Sequence, residues 1–135
     1  MLKAVIIDDE IASIDSLELL LNNSQTDIDI VGRASDISNA IRVINETKPD
    51  LVFLDIELGN GTGFDVLDSV TEIDFSVIFV TAYNQYAIKA FKYAAVDYIL
   101  KPIDVGALYA AINRVELAEL MSFSQRMAIA KEVML

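Results

Sequence analysis

The sequence predicts an α/β fold: an open, doubly wound parallel sheet of five strands with helices on both faces. Three observations carry that prediction. Short apolar runs recur along the chain, each too brief for a helix and most of them without the polar alternation of a half-exposed strand. Between them lie segments whose apolar residues fall three and four apart, the spacing of one helix face. The connections are only a few residues long, and strand–helix alternation of this kind requires a parallel sheet covered on both sides. A closed barrel needs roughly 200 residues or more, so at 135 residues the sheet stays open.

Taken in order, Lys3 to Ile7 is the first strand and runs into Asp8-Asp9-Glu10. Ile14, Leu17 and Leu21 mark one face of a helix from Ile11 to Leu21, which Asn22-Asn23-Ser24-Gln25 closes. Ile28 to Ala34 is a second strand, less apolar at its start. Asp36 or Ser38 caps the next helix, whose stripe is Ile37, Ala40, Ile41 and Ile44. Pro49 disfavours helix at Lys48, so Asp50 to Leu54 is the third strand, ending at Asp55. Gly59-Asn60-Gly61-Thr62-Gly63 reads as a loop, and Phe64, Val66, Leu67 and Val70 follow as a short helix. Phe75 to Val80 is the fourth strand and ends in Thr81-Ala82. Asn84 to Ala95 is helical, with Ala87, Ala90, Phe91 and Ala94 toward the sheet. Asp97 to Leu100 is the fifth strand, ending in Lys101-Pro102, and Asp104 caps a last helix from Val105 that carries Leu108, Ile112 and Val115 inward. Residues 1–120 form one domain. The tail is helix-permissive through Met121, Phe123, Met127 and Ile129, so 121–135 reads as a helix extension or a linker toward an output domain the chain lacks.

Bulk properties narrow the function. A chain that is 54% hydrophobic and 23% charged is globular and long enough to bury a core. The formal net charge of −11 argues against this segment gripping nucleic acid, which needs clustered Lys and Arg. The absence of histidine removes Ser-His-Asp and Cys-His catalysis, and the absence of cysteine removes disulfides and zinc–thiolate sites. No apolar run approaches a membrane span and no signal-like segment is seen, so a cytoplasmic protein without membrane contact is expected.

The chemistry gathers where strands end. In a parallel sheet the carboxyl ends share one edge, and here they deliver Asp8 and Asp9, Asp55, Thr81 and Lys101. Three carboxylates in one pocket repel, which a hard divalent cation with oxygen ligands relieves; Mg²⁺ suits so sparse a donor set. Thr81 supplies a hydroxyl and Lys101 a point charge, a cradle for phosphoryl oxygens. Asp55, followed by an open glycine-rich loop, is free to attack phosphorus, leaving Asp8 and Asp9 to the metal. Singly, each feature has a plainer reading: an Asp-Asp pair or a threonine caps helices, and Lys-Pro makes turns. Their joint position in one alternating pattern is what points to phosphoryl chemistry.

On these residues, Asp8-Asp9, Asp55, Thr81-Ala82 and Lys101-Pro102, residues 1–120 resemble the receiver domains of two-component response regulators. The resemblance implies a flavodoxin-like sheet of order 2-1-3-4-5. It implies phosphotransfer to Asp55 from the phosphohistidine of a sensor histidine kinase, with Mg²⁺ held by Asp8, Asp9, Asp55 and the backbone carbonyl of Glu57. It also implies phosphoryl contacts from Thr81, Ala82 and Lys101, a cis Lys101–Pro102 peptide, and a switch in which Tyr98 turns inward as Thr81 moves. Such a domain is a signalling switch, not an enzyme. The proline usual in the loop after the acceptor is Gly59 here, which loosens that loop. The stretches Thr81 to Phe91 and Val96 to Pro102 resemble the receivers of LytTR-type (LytR/AlgR) regulators, which carry a DNA-binding domain after the receiver and control transcription.

Tyr86, Lys89 and Tyr93 share a helix face, either as a partner surface or as side chains that cover the core. The last helix-strand-helix face is the expected route to a homodimer. Three rivals stand beside the receiver reading. An aspartyl-phosphate phosphohydrolase of the haloacid-dehalogenase type would want Asp-x-Asp where the chain has Asp55-Ile56-Glu57. A flavin-phosphate module would be repelled by Asp8-Asp9-Glu10. A phosphorylation-independent interaction module would not need the intact acidic set.

Overall fold

The computed structural model describes the backbone of residues 1–134 and the side chains of residues 1–121. The chain alternates strand and helix: β1 (Leu2–Ile7), α1 (Ile11–Asn22), β2 (Ile28–Ala34), α2 (Ile37–Thr47), β3 (Leu51–Leu54), α3 (Gly63–Ser69), β4 (Ser76–Thr81), α4 (Ala87–Lys92), β5 (Asp97–Leu100) and α5 (Val105–Met134). All pairings are parallel and the strand order is β2-β1-β3-β4-β5. The chain leaves β1 for one edge, returns, and places β3 on β1's other side. That reversal opens a crevice at the carboxyl ends of β1 and β3.

Strand alternation divides the core between two faces. Val5, Ile7, Val52, Leu54, Val77 and Phe79 meet α2, α3 and Ala90 of α4. Ala4, Ile6, Leu51, Phe53, Ile78 and Val80 meet α1 and the Leu108, Ala111, Ile112 and Val115 stripe of α5. Each fully buried aliphatic or aromatic side chain contributes about 1.5–3 kcal/mol, so both faces are needed to hold β1 and β3 in the centre. Among the described residues no buried side-chain nitrogen or oxygen lacks a hydrogen-bond partner. Among them, too, no helix is long and apolar enough to cross a membrane. The tail positions Phe123, Met127 and Ile129 lie on the α5 backbone, with side chains outside the described residues.

Helix starts follow their caps. Asp36 accepts from the Asn39 N–H at 2.8 Å, and Asp104 accepts from the Gly106 N–H at 3.1 Å. The loop expected through Gly63 stops one residue sooner, because Thr62 and Asp65 form a reciprocal capping box and Gly63 opens α3. The fourth helix differs most. It spans only Ala87–Lys92, not Asn84 to Ala95, and its inward face is not the expected one. Ala90 is buried, but Ala87, Phe91 and Ala94 are exposed. The half-buried Tyr86 and Tyr93 complete an i, i+4, i+7 stripe with Ala90, and their rings cover Phe64. Ala94 sits at φ 58° and ends the helix.

Gly63 is where backbones approach most closely. A Cβ there would lie 2.4 Å from the Asp55 carbonyl oxygen and 2.9 Å from Leu54 Cγ. Gly63→Ala is therefore expected to cost about 1–3 kcal/mol by overpacking. Gly106→Ala, whose nearest neighbour would be Asp104 Oδ1 at 3.5 Å, is expected to be neutral or to stabilise by up to about 1 kcal/mol as a helix position. Urea denaturation of the two variants checks both signs.

Candidate functional site

Register brings the acidic residues together. Ile7 pairs with Leu54, so the residues that follow, Asp8 and Asp55, leave neighbouring strands at the same level. The Asp55 N–H donates to the Ile7 carbonyl at 2.9 Å, extending the ladder to Asp55 itself. Thr81 pairs with Leu100, and the Lys101 N–H donates to the Thr81 carbonyl at 2.8 Å. The Lys101–Pro102 peptide is cis.

Asp8 and Asp55 are each 5% exposed and Thr81 is fully buried, whereas Asp9 faces solvent. One carboxylate oxygen from each of Asp8, Asp9 and Asp55 lies within 4.8 Å of the others. The acidic pair is not a helix cap: the N-cap of α1 is Glu10, whose side chain caps nothing. Asp8 Oδ1 instead accepts from the Glu10 N–H at 3.0 Å, while its Oδ2 receives the Lys101 ammonium at 2.6 Å. That ammonium also donates to Asp55 Oδ2 and to Ser13 Oγ, both at 3.3 Å. Asp55 Oδ1 accepts from the Ile56 N–H at 2.7 Å.

Electrostatics follows from this arrangement. Burial pushes the Asp8 carboxyl above its ordinary value; the bonds to Lys101 and to the Glu10 amide pull it back, and the Asp55 charge pushes it up again. Burial works against the Lys101 ammonium, but the Asp8 hydrogen bond and the charges of Asp55 and Asp8 outweigh it, so its pKa is raised. The donor set is all oxygen, hard and anionic, which fits a divalent cation such as Mg²⁺. No softer ligand is within this group.

Thr81 and Tyr98 are linked through the backbone of Tyr83. The Tyr83 N–H donates to Thr81 Oγ1 at 3.4 Å, and the Tyr83 carbonyl accepts from the Tyr98 hydroxyl. Tyr98 is half-buried, its ring 6.2 Å from that of Phe79, and Ala82 is exposed. Tyr86, Lys89 and Tyr93 gather around Phe64, with Lys89 Nζ 4.5 Å from its ring centroid. Of the two roles expected for these three, covering the core describes both tyrosines. Tyr86 donates to Glu57 Oε1 and Tyr93 to Asp68 Oδ1, each at 2.8 Å, and these bonds hold both hydroxyls above their usual pKa. The large exposed apolar side chains of α4 are Ile88 (78%) and Phe91 (82%).

The loop after Asp55 is tighter than its glycines suggest. Ile56 and Leu58 are buried, and Glu57 bridges Thr62 in antiparallel fashion. The Leu58 N–H donates to the Gly61 carbonyl and the Asn60 N–H to the Leu58 carbonyl. Gly59 takes φ 78°, which proline cannot adopt. The loop is thus rebuilt around glycine as a closed turn. Sequence reasoning missed Ser13 and the carboxylate of Glu57. Ser13 carries no signal beyond lying in the first turn of α1, and Glu57 becomes legible only once Tyr86 is seen to face α3.

The folded pKa of Lys101 lies above its ordinary 10.5, so its stabilisation is complete below that pH and is lost as pH rises through the higher folded value. Without divalent cations, Lys101→Met is expected to cost about 1–3 kcal/mol at pH 7, less than for a fully buried pair because Lys101 keeps some solvent contact. Urea titrations from pH 7 to beyond 10.5 should show the gap between wild type and variant closing at the alkaline end.

Comparison with known proteins agrees with this geometry. Residues 4–113 match the family model of the response regulator receiver domain. The sensory transduction protein LytT of Bacillus anthracis is 40% identical over 106 residues, 77% of this chain and 43% of that protein. The transcriptional regulatory protein BtsR of Salmonella typhi is 37% identical over 115 residues, 84% of this chain and 48% of that one. The chain thus spans about half the length of the curated relatives it matches. The response regulatory domain of mrkE from Klebsiella pneumoniae superposes with a TM-score of 0.78 at 27% identity, covering 86% of this chain and 96% of that one. An acidic strand-end pocket on a 2-1-3-4-5 parallel sheet, with these relatives, makes the chain a member of the response regulator receiver family of two-component signalling.

Proposed function

We propose that Asp55 is the residue this receiver phosphorylates, taking the phosphoryl group from the phosphohistidine of a sensor histidine kinase. The observation that carries the proposal is the meeting of Asp8, Asp9 and Asp55 within 4.8 Å beside the Lys101 ammonium. In the transfer, an Asp55 carboxylate oxygen forms the O–P bond as the N–P bond breaks, and the imidazole leaves with that electron pair. Asp8, Asp9, Asp55 and the Glu57 carbonyl would hold Mg²⁺, which supplies charge neutralisation at the phosphoryl oxygens. Lys101 already spans Asp8 and Asp55, and it turns to the phosphoryl oxygens once they arrive. Thr81 and the backbone at Ala82 complete the cradle.

Phosphorylation adds close to two negative charges and three strong acceptors in a buried pocket. The Thr81 hydroxyl then donates to a phosphoryl oxygen, and its movement toward that oxygen stretches the bond it accepts from the Tyr83 N–H, loosening the residue whose carbonyl holds the Tyr98 hydroxyl. Tyr98 is thereby released to move inward and alter the face formed by α4, β5 and α5. Ile88, Phe91 and Leu100 give that face exposed apolar area for a homodimer. The similarity to LytT and BtsR supports an output in transcription through a LytTR-type DNA-binding domain in the cytoplasm. The phosphohydrolase reading needs a free acid two residues past the nucleophile, and Glu57 is committed to Tyr86.

Intact mass after incubation with acetyl phosphate and Mg²⁺ tests the acceptor. Wild type is expected to gain about 80 Da, one phosphoryl group, and Asp55→Asn to gain nothing; no gain in wild type would sink the proposal. Mg²⁺ at about 100 times its Kd is expected to add about 2.7 kcal/mol of stability, and coincident melts with and without metal would count against the cation site.

A further inference from the structure

Helix α4 is only six residues long and buries one of them, Ala90. Besides that residue and the rings on Phe64, two tyrosine–carboxylate bonds fasten it, one at each end. Tyr93, just past the C-terminus, donates to Asp68 on α3 at 2.8 Å. Tyr86, the N-cap residue, donates at the same distance to Glu57. The two bonds are chemically alike but differ in what they hold. Asp68 lies exposed in the last turn of α3 and is no part of the acidic group, whereas Glu57 stands two residues beyond Asp55 on the turn that frames it.

We propose that Tyr86 is a positioning residue for the acidic pocket: acting through Glu57, it makes the seating of α4 and the occupancy of the pocket depend on one another. The inference rests on the reading of that pocket as a Mg²⁺ site to which the Glu57 carbonyl contributes. The route is short and stiff. Glu57 is pinned by its bridge to Thr62, by the Leu58–Gly61 turn and by the buried side chains of Ile56 and Leu58 on either side. Its side chain is half-buried, and the Tyr86 bond fixes the rotamer. A cation drawing the Glu57 carbonyl therefore acts on the same residue that Tyr86 holds, and whatever α4 does to the carbonyl the cation does in return to α4. Because Tyr86 also stacks edge-on against Tyr83, with centroids 6.5 Å apart, this route reaches the Thr81 loop as well. It does so without using the Thr81 hydroxyl.

The structure supplies its own control. Tyr86→Phe and Tyr93→Phe each keep the ring on Phe64 and each remove one hydroxyl bond to a carboxylate, but only the first touches the acceptor turn. The full chain is titrated with Mg²⁺ alone, without phosphodonor, reading the dissociation constant from thermal melts. Amide hydrogen exchange across residues 87–92 is measured with and without the metal. Tyr86→Phe is expected to weaken Mg²⁺ binding about 3- to 10-fold, the scale of one charge-assisted hydrogen bond, and Tyr93→Phe less than about twofold. Mg²⁺ is expected to raise α4 protection in wild type and in Tyr93→Phe, but not in Tyr86→Phe. Equal weakening in both variants would reduce Tyr86 to a fastening for α4 and overturn the proposal, as would a Tyr86→Phe protein that binds like wild type or more tightly. A wild type that binds no Mg²⁺ removes this proposal together with the cation reading beneath it, and that failure is separate because none of the three melts would then shift with metal concentration.

Discussion

The Lys101 ammonium lies 2.6 Å from Asp8 Oδ2 and 3.3 Å from Asp55 Oδ2, and much of the domain's organisation can be traced to that contact. The β1–β3 register forces two nearly buried carboxylates to the same level of the crevice. Removing an ionised carboxylate from water costs several kcal/mol, and the strand ends offer it few donors. One cation between the two is the least that allows both strands to stop there. It arrives from the end of β5, two strands away from β3, across β4. The pocket is consequently held by a bond that a competing cation or an arriving phosphoryl group must disturb. A site balanced by charge in this way responds to charge.

What makes such a response travel is the economy of the region beside β4 and β5. Thr81 and Tyr98 are joined through Tyr83, whose N–H donates to the Thr81 hydroxyl and whose carbonyl accepts from the Tyr98 hydroxyl, so one residue's backbone separates the two hydroxyls. Helix α4 buries only Ala90 and leaves Ile88 and Phe91 to solvent. Segments with few buried contacts occupy the low-stability end of a fold, where small free energies move large areas. The contrast with α5, which seats Leu108, Ala111, Ile112 and Val115 on the sheet, shows which element is built to stay.

The sheet was legible because its central strands β1, β3 and β4 are apolar on both faces and every strand but β2 runs into a chemically distinctive residue. Asp55 stood out after Leu51-Val52-Phe53-Leu54, and Asp8 after Val5-Ile6-Ile7, without reference to any partner. Helix α4 was not legible for an identifiable reason. Its residues offer two stripes at helical spacing, Ala87–Ala90–Phe91–Ala94 and Tyr86–Ala90–Tyr93, and hydrophobicity alone favours the first. The second wins because tyrosine is amphipathic: its ring covers Phe64 while its hydroxyl reaches a carboxylate on α3 or on the turn after Asp55. Those acceptors, Glu57 and Asp68, are 29 and 25 residues distant in the chain, beyond the reach of any local pattern. The start of α3 is the opposite case. Thr62-x-x-Asp65 is a capping signal carried by the sequence itself, and Gly63 belongs inside that helix for a steric reason that only the nearby Asp55 carbonyl explains.

Gly59 shows how a departure in composition need not be a departure in stiffness. A proline fixes its own φ and so stiffens a loop locally, whereas glycine frees the chain unless other bonds close it. Here they do: the Asn60 and Leu58 amides each find a carbonyl within the turn, Glu57 bridges Thr62, and the Thr62–Asp65 box anchors the far side. Stiffness has moved from a ring to a network of hydrogen bonds, and a network can be biased from outside. With proline at this point the turn would answer chiefly to its own ring. With glycine at φ 78° its geometry depends on the residues it bonds, including the Glu57 whose side chain is held by Tyr86. The loop that frames Asp55 is therefore closed by hydrogen bonds of its own and tied by one more, through Glu57, to the first residue of the α4 region, Tyr86.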